Sequence, residues 1–164
     1  MPITDQELKA KADKVLQENF TSEPPVDIFE IAKNEGLIVE TKDFGDKFNH
    51  ISGYIKPEIR TIFVNSKDSE SRRKFTVAHE LGHWLFHREE LENDPRKYAV
   101  LFRIPLGRPS KDHVEREANF FAANILVPEE MLNEKKDSNT PEQLAEIFSV
   151  SKELIGLRIN DLSR

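Results

Sequence analysis

The run Phe75-Thr76-Val77-Ala78-His79-Glu80-Leu81-Gly82-His83-Trp84-Leu85-Phe86 constrains the fold more than any other stretch of the chain. Its apolar flanks predict a helix packed inside the molecule. Two imidazoles and a carboxylate are costly there unless something satisfies them. On a helix, residues four apart lie about 6 Å apart along the axis and about 40° apart in rotation. His79 and His83 therefore share a face, with both rings within reach of one metal ion. Glu80 falls on the neighbouring side, where it can take a proton from a water activated by that ion. This is the H-E-x-x-H pattern of zinc hydrolases. Gly82 lies between the two His and lets another element approach closely, although it lowers helix propensity.

The chain has 164 residues, which predicts one domain, 1–164, with a real core. With 33% charged and 9% aromatic residues it reads as soluble and globular. No stretch approaches the roughly 20 apolar residues of a membrane span. The start, Met1-Pro2-Ile3-Thr4-Asp5-Gln6, lacks a basic-then-apolar signal segment, so a cytoplasmic location is expected. There are no cysteines, so any zinc must be held by nitrogen and oxygen. The net charge of -6 argues against a sequence-independent grip on nucleic acid, which needs Lys and Arg facing phosphates.

Thr4 with Glu7 reads as a capping box opening a helix to about Glu18. After Pro24-Pro25, a second helix is predicted from Val26 to Glu35, stopped by Gly36. Strand-like runs follow at Leu37–Glu40, Ile51–Lys56 and Thr61–Asn65, the last two joined by a turn at Pro57–Arg60. The His-bearing helix should run from about Ser69 to His87. A polar loop, a strand at Tyr98–Arg103 and a turn at Pro105–Pro109 come next. A long helix is expected from about Lys111 to Val127-Pro128, then a polar linker, then a helix pair over 139–164.

A catalytic zinc usually has three protein ligands and one open position. His87 continues the His stripe but lies about 12 Å along the axis from His79, too far to share the ion. It reads as a neighbour of the ligands, a rim residue or plain surface. The best source of a third ligand is Glu115-Arg116-Glu117-Ala118-Asn119-Phe120-Phe121-Ala122-Ala123. Glu115, Ala118, Asn119 and Ala122 form one stripe, whose small residues would pack near Gly82 and aim Glu115 at the two His. Ordinary amphipathic packing is the competing account of this stripe. Glu117 falls about 200° round from Glu115 and is expected to face solvent. Asn119, a turn beyond Glu115, is a candidate to orient a ligand from behind.

Phe75-Thr76-Val77-Ala78-His79-Glu80-Leu81-Gly82-His83-Trp84 and Glu115 through Pro128 resemble the two signature blocks of the ImmA/IrrE metallopeptidases. Pro25-Val26-Asp27-Ile28, Ile51-Ser52-Gly53 and Phe63-Val64-Asn65 are similar to the N-terminal half of that family. The resemblance covers most of residues 24 to 134. It implies one Zn2+ per chain held by His79, His83 and Glu115, with Glu80 as general base. It also implies an α+β, zincin-like fold: a small, mostly antiparallel sheet on the active-site helix, with the C-terminal helix pair packed on the core. The large C-terminal sensor region of IrrE-type members is lacking, and the chain looks more like the compact members of mobile elements and phages.

The expected function is a zinc-dependent, site-specific endopeptidase. The resemblance implies a helix-turn-helix transcriptional repressor as substrate, cleaved to relieve repression. The alternative is a non-catalytic zinc-containing interaction protein, such as a toxin–antitoxin component; a retained Glu80 favours the enzyme. The strand around Gly53 is a candidate edge for an extended substrate, or a plain strand glycine or bulge. Tyr54, His50, His87, Tyr98 and His113 are candidates for stabilising an oxyanion. The 139–164 pair has helix-turn-helix-like spacing, but from Glu129 to Arg164 eight acidic face five basic side chains, net -3. Direct DNA binding is not expected, and the pair is read as packed on the core or docking a partner.

Overall fold

In the computed structural model, residues 1–94, 100–102 and 110–163 are described. Helix α1 (Asp5–Glu18) opens on the predicted capping box. Thr4 Oγ1 accepts from the Glu7 N–H, while the Glu7 carboxylate accepts from the Thr4 N–H at 2.9 Å. Its buried residues Leu8, Ala12, Val15 and Leu16 form one stripe at helical spacing. Helix α2 (Ile28–Asn34) is capped by Asp27, so it begins two residues later than Val26. Gly36 follows it in a left-handed conformation, as a helix stop requires.

The sheet comprises β1 (Ile38–Lys42), β2 (Ile51–Lys56), β3 (Thr61–Asn65) and β4 (Val100–Phe102), in the order β1-β3-β2-β4. β2 and β3 pair antiparallel across a 3-10 turn at Pro57–Ile59, and β2 and β4 pair antiparallel as well. β1 is parallel to β3, with Ile38 beside Thr61. The sheet is thus mixed and mostly antiparallel. Every residue of β3 is buried. Helix α3 (Glu70–Phe86) packs on one face of the sheet. Towards the other, Phe63 is shielded by the Tyr54 ring at 5.0 Å and by the ammonium groups of Lys42 and Lys56 at 5.9 and 5.7 Å.

This topology corrects one expectation. Strand β2 pairs with β3 on one side and β4 on the other, so Gly53 offers no free edge to a substrate. A Cβ at Gly53 would lie 2.5 Å from both the Phe63 carbonyl oxygen and Thr76 Cγ2. Gly53 therefore lets α3 settle on the sheet, next to an irregularity in the β2–β4 register between Ile51 and Gly53.

Helix α3 is capped by Ser69, and its residues Phe75 through Trp84 are buried without interruption. It is the central helix, clasped between the sheet and α5 (His113–Leu126). Helix α4 (Arg88–Asn93) occupies what reads as a polar loop, and α6 (Glu129–Lys135) what reads as a polar linker. Each is a short helix anchored by few apolar residues, Leu91 in α4 and Met131 and Leu132 in α6, too few to make a periodic signal. Tyr98, Arg103 and the turn at Pro105–Pro109 lie outside the described residues. Helices α7 (Pro141–Phe148) and α8 (Lys152–Leu162) form the expected C-terminal pair. Their Leu144, Phe148, Leu154 and Ile155 join a hydrophobic cluster that also takes in residues of α1, α2, the sheet, α3 and α5.

Candidate metal centre

Helices α3 and α5 approach each other closely, and Gly82 makes it possible. A Cβ there would meet Phe121 Cδ1 at 3.1 Å and Ala118 Cα at 3.2 Å. The small-residue stripe of α5 therefore does lie against the His-bearing helix, and Glu115 projects from its first turn. His79 Nε2 stands 3.4 Å from Glu115 Oε2, His83 Nε2 is 3.1 Å from Glu115 Oε1, and the two Nε2 atoms are 2.9 Å apart. These three residues form a group that could hold a metal ion.

The donor set fits a zinc-like ion. Ligand atoms about 2.0–2.1 Å from a tetrahedral centre are separated by about 3.3 Å, close to the edges observed. Two imidazole lone pairs and a carboxylate oxygen converging on one point repel one another unless a cation lies among them. Burial, reinforced by the charge on His79, lowers the pKa of His83 to about 4, so its ring is neutral and able to donate a lone pair near pH 7. Burial works against a charge on Glu115, but the neighbouring His79 and His83 rings, 3.4 and 3.1 Å away, outweigh it and hold the carboxyl well below the usual range.

Glu80 is the anomaly of the site. It is fully buried, and neither carboxylate oxygen has a hydrogen-bond partner among the described residues. Burial, and then the negative charge of Glu115, push its pKa well above the usual carboxylate range. A buried, unpartnered carboxyl is costly in a purely structural setting. Beside a cation and a water it becomes an accessible proton acceptor.

Three comparisons bear on this geometry. Residues 32–160 match the model of Peptidase_M78, the IrrE N-terminal-like domain. The chain belongs to the ImmA/IrrE metallopeptidase family. Metallopeptidase ImmA of Bacillus subtilis (strain 168) is 22% identical over 152 residues, covering 90% of this chain and 80% of that protein. An uncharacterized immunity region protein 2 of Bacillus phage phi105 is 29% identical over 160 residues, covering 95% and 90%. Among solved structures, a Mycobacterium tuberculosis transcriptional regulator superposes with a TM-score of 0.67 at 16% identity, over 92% of this chain. This chain spans 45% of that one, and the likeness is one of fold.

Around the ImmA/IrrE site, Asn119 sits where its stripe predicts, with Oδ1 2.9 Å from His79 Nδ1. His87 proves to be buried behind the cluster, with Nδ1 3.2 Å from His83 Nδ1. Glu117 is the second correction. It does not face solvent but is 1% exposed, with Oε2 2.8 Å from His87 Nε2 and Oε1 accepting from the Ile3 N–H at 2.9 Å. The sequence reading missed it because helix α1 and the chain entering it cover that side of α5, a contact no local periodicity can report.

The oxyanion candidates also separate. His87 has both ring nitrogens engaged behind His83, away from the three-residue cluster. Tyr54 stacks on Phe63 and alternates with Gly53, which faces α3, so its ring lies on the opposite side of the sheet from α3. His50 and His113 are exposed, and Tyr98 falls outside the described residues.

Proposed function

We propose that this protein is a zinc-dependent, site-specific endopeptidase, with His79, His83 and Glu115 holding one Zn2+ and Glu80 acting as general base. The observation that carries this reading is Glu80: fully buried, unpartnered and beside the three-ligand cluster. A zinc site that only braces an interaction protein has no use for such a group. Zinc, when bound, supplies Lewis-acid activation of a peptide carbonyl and of the attacking water.

The chain's own residues supply the rest. The Glu80 carboxylate takes a proton from the attacking water and returns it to the leaving amine. Asn119 holds the His79 ring by accepting from its Nδ1.

The substrate we favour is a helix-turn-helix transcriptional repressor in the cytoplasm. A relative named as an immunity region protein of a phage supports that direction. Direct DNA contact by the C-terminal pair is not part of the proposal. Arg158, the basic residue within α8 after its first position, is buried and donates to the Val127 carbonyl at 3.0 Å rather than facing outward.

The test compares newly formed protein N-termini in host lysate treated with the zinc-loaded protein and with Glu80→Gln. A few cuts made only by wild type are expected, and they would name the substrate. Equal cleavage by the two, or none by either with zinc bound, would sink the proposal.

A further inference from the structure

Two side chains that the proposed reaction does not use, His87 and Glu117, are buried to 2% and 1% exposure directly behind a ligand of the cluster. They form an unbroken line. His83 Nδ1 lies 3.2 Å from His87 Nδ1, His87 Nε2 lies 2.8 Å from Glu117 Oε2, and Glu117 Oε1 accepts from the Ile3 N–H at 2.9 Å. We infer that Glu117 acts through His87 to set the tautomer of His83, and so presents the His83 Nε2 lone pair to the metal. The inference rests on the reading of His79, His83 and Glu115 as the ligands.

The direction of the line follows from counting protons. A neutral imidazole carries one N–H and one lone pair. Glu117 Oε1 accepts from the Ile3 N–H, Glu117 Oε2 lies 2.8 Å from His87 Nε2, and a carboxylate only accepts. His87 Nε2 must therefore carry the proton, which leaves a lone pair on His87 Nδ1. That lone pair can be satisfied only if His83 Nδ1 carries its own proton. The His83 lone pair is then on Nε2, the atom facing Glu115 and His79. Reversing any link places two lone pairs or two N–H groups nose to nose inside the protein.

The other ligand ring is set in one step, by Asn119 on His79 Nδ1. Helix α5 thus supplies one of the three ligands, Glu115, and the groups that orient both others. Ligating His residues commonly donate their second nitrogen to a carboxylate or carbonyl; here a second imidazole is interposed. The carboxylate also receives the Ile3 amide, so the chain entering α1 is tied to the back of the site.

Glu117→Gln is the discriminating variant, because an amide offers one acceptor oxygen where two donors need one each. If the oxygen turns to Ile3, the amide NH2 faces His87 Nε2, reverses the line and puts the His83 proton on Nε2. His87→Gln is the conservative counterpart, since its oxygen can accept from His83 Nδ1 and its NH2 can donate to Glu117.

Two measurements test this: zinc affinity by chelator competition, and imidazole tautomers by 15N NMR of the metal-free protein. In wild type, His79 and His83 should be protonated on Nδ1 and His87 on Nε2. Glu117→Gln should bind zinc more weakly, on the order of 10- to 100-fold, with the His83 tautomer shifted. His87→Gln should stay within about threefold of wild type, since it preserves both hydrogen bonds. Wild-type affinity and an unchanged tautomer in Glu117→Gln overturn the inference, provided Glu115→Gln has lost zinc. If Glu115→Gln keeps zinc, the ligand assignment itself fails and takes this inference with it. Should Glu117→Gln not fold, wild type decides alone: a His83 protonated on Nε2 overturns the inference.

Discussion

At the scale of single residues, the site is a set of polar groups, with His79, Glu80 and His83 buried and Glu115 and Asn119 half-buried. Asn119 illustrates the consequence. Its Oδ1 lies 2.9 Å from His79 Nδ1, and removing it frees the ring to rotate or to change tautomer. Asn119→Leu should therefore weaken zinc binding on the order of 10- to 100-fold, while Asn119→Asp, which still accepts, should bind nearly as wild type. Isothermal titration of the metal-free variants checks the pair. Much at this scale was legible in the chain: His79 and His83 share a face by helical geometry alone, and Glu115 and Asn119 share a stripe. Glu117 was not. Its rotation about α5 correctly set it away from Glu115, but what lies on that side is chain entering α1 rather than solvent.

At the scale of elements, caps and close approaches position the machinery. Thr4, Asp27, Ser69, Asp112, Thr140 and Ser151 each accept a backbone N–H at a helix start, and such caps depend on side chains a few residues apart, so sequence reveals them. Close approaches do not announce their partners. Gly53→Ala should cost about 1–3 kcal/mol by overpacking, measured by urea unfolding. Adding Thr76→Ala should not restore stability, because the Phe63 carbonyl oxygen still lies 2.5 Å from the new Cβ; a full rescue would show that the clash is with Thr76 alone. The same strand shows why the sequence left two readings of Gly53 open, a substrate edge or a plain strand glycine or bulge. Its alternation and its glycine were legible, but whether β2 is central or an edge depends on β4, which returns from about 45 residues later in the chain.

At the scale of the whole molecule, one hydrophobic cluster links α1, α2, the sheet, α3, α5 and the C-terminal pair. A single cooperative unit should therefore unfold in one transition. Trp84, the chain's one tryptophan, lies on α3 with the Arg88 guanidinium 3.8 Å above its ring, and its fluorescence should change together with far-UV circular dichroism. Two separated transitions would mean that residues 139–164 fold apart from the rest. Zinc should raise the melting temperature, because it binds the folded site: at 100 times its Kd the gain is about 2.7 kcal/mol, or roughly 5–10 °C for a chain of this size. Glu115→Gln should abolish that rise in a thermal melt with and without a chelator. The sequence by itself determined the longer helices, the Thr4 capping box, the H-E-x-x-H face and the Glu115 stripe, because each depends on residues within a few turns of one another. Only the tertiary structure decided the strand order, the burial of Glu117, the line from Ile3 to His83 and the isolation of Glu80. Those depend on which surfaces meet across long stretches of chain, and hydrogen-bond satisfaction is settled by the partners present rather than by local periodicity.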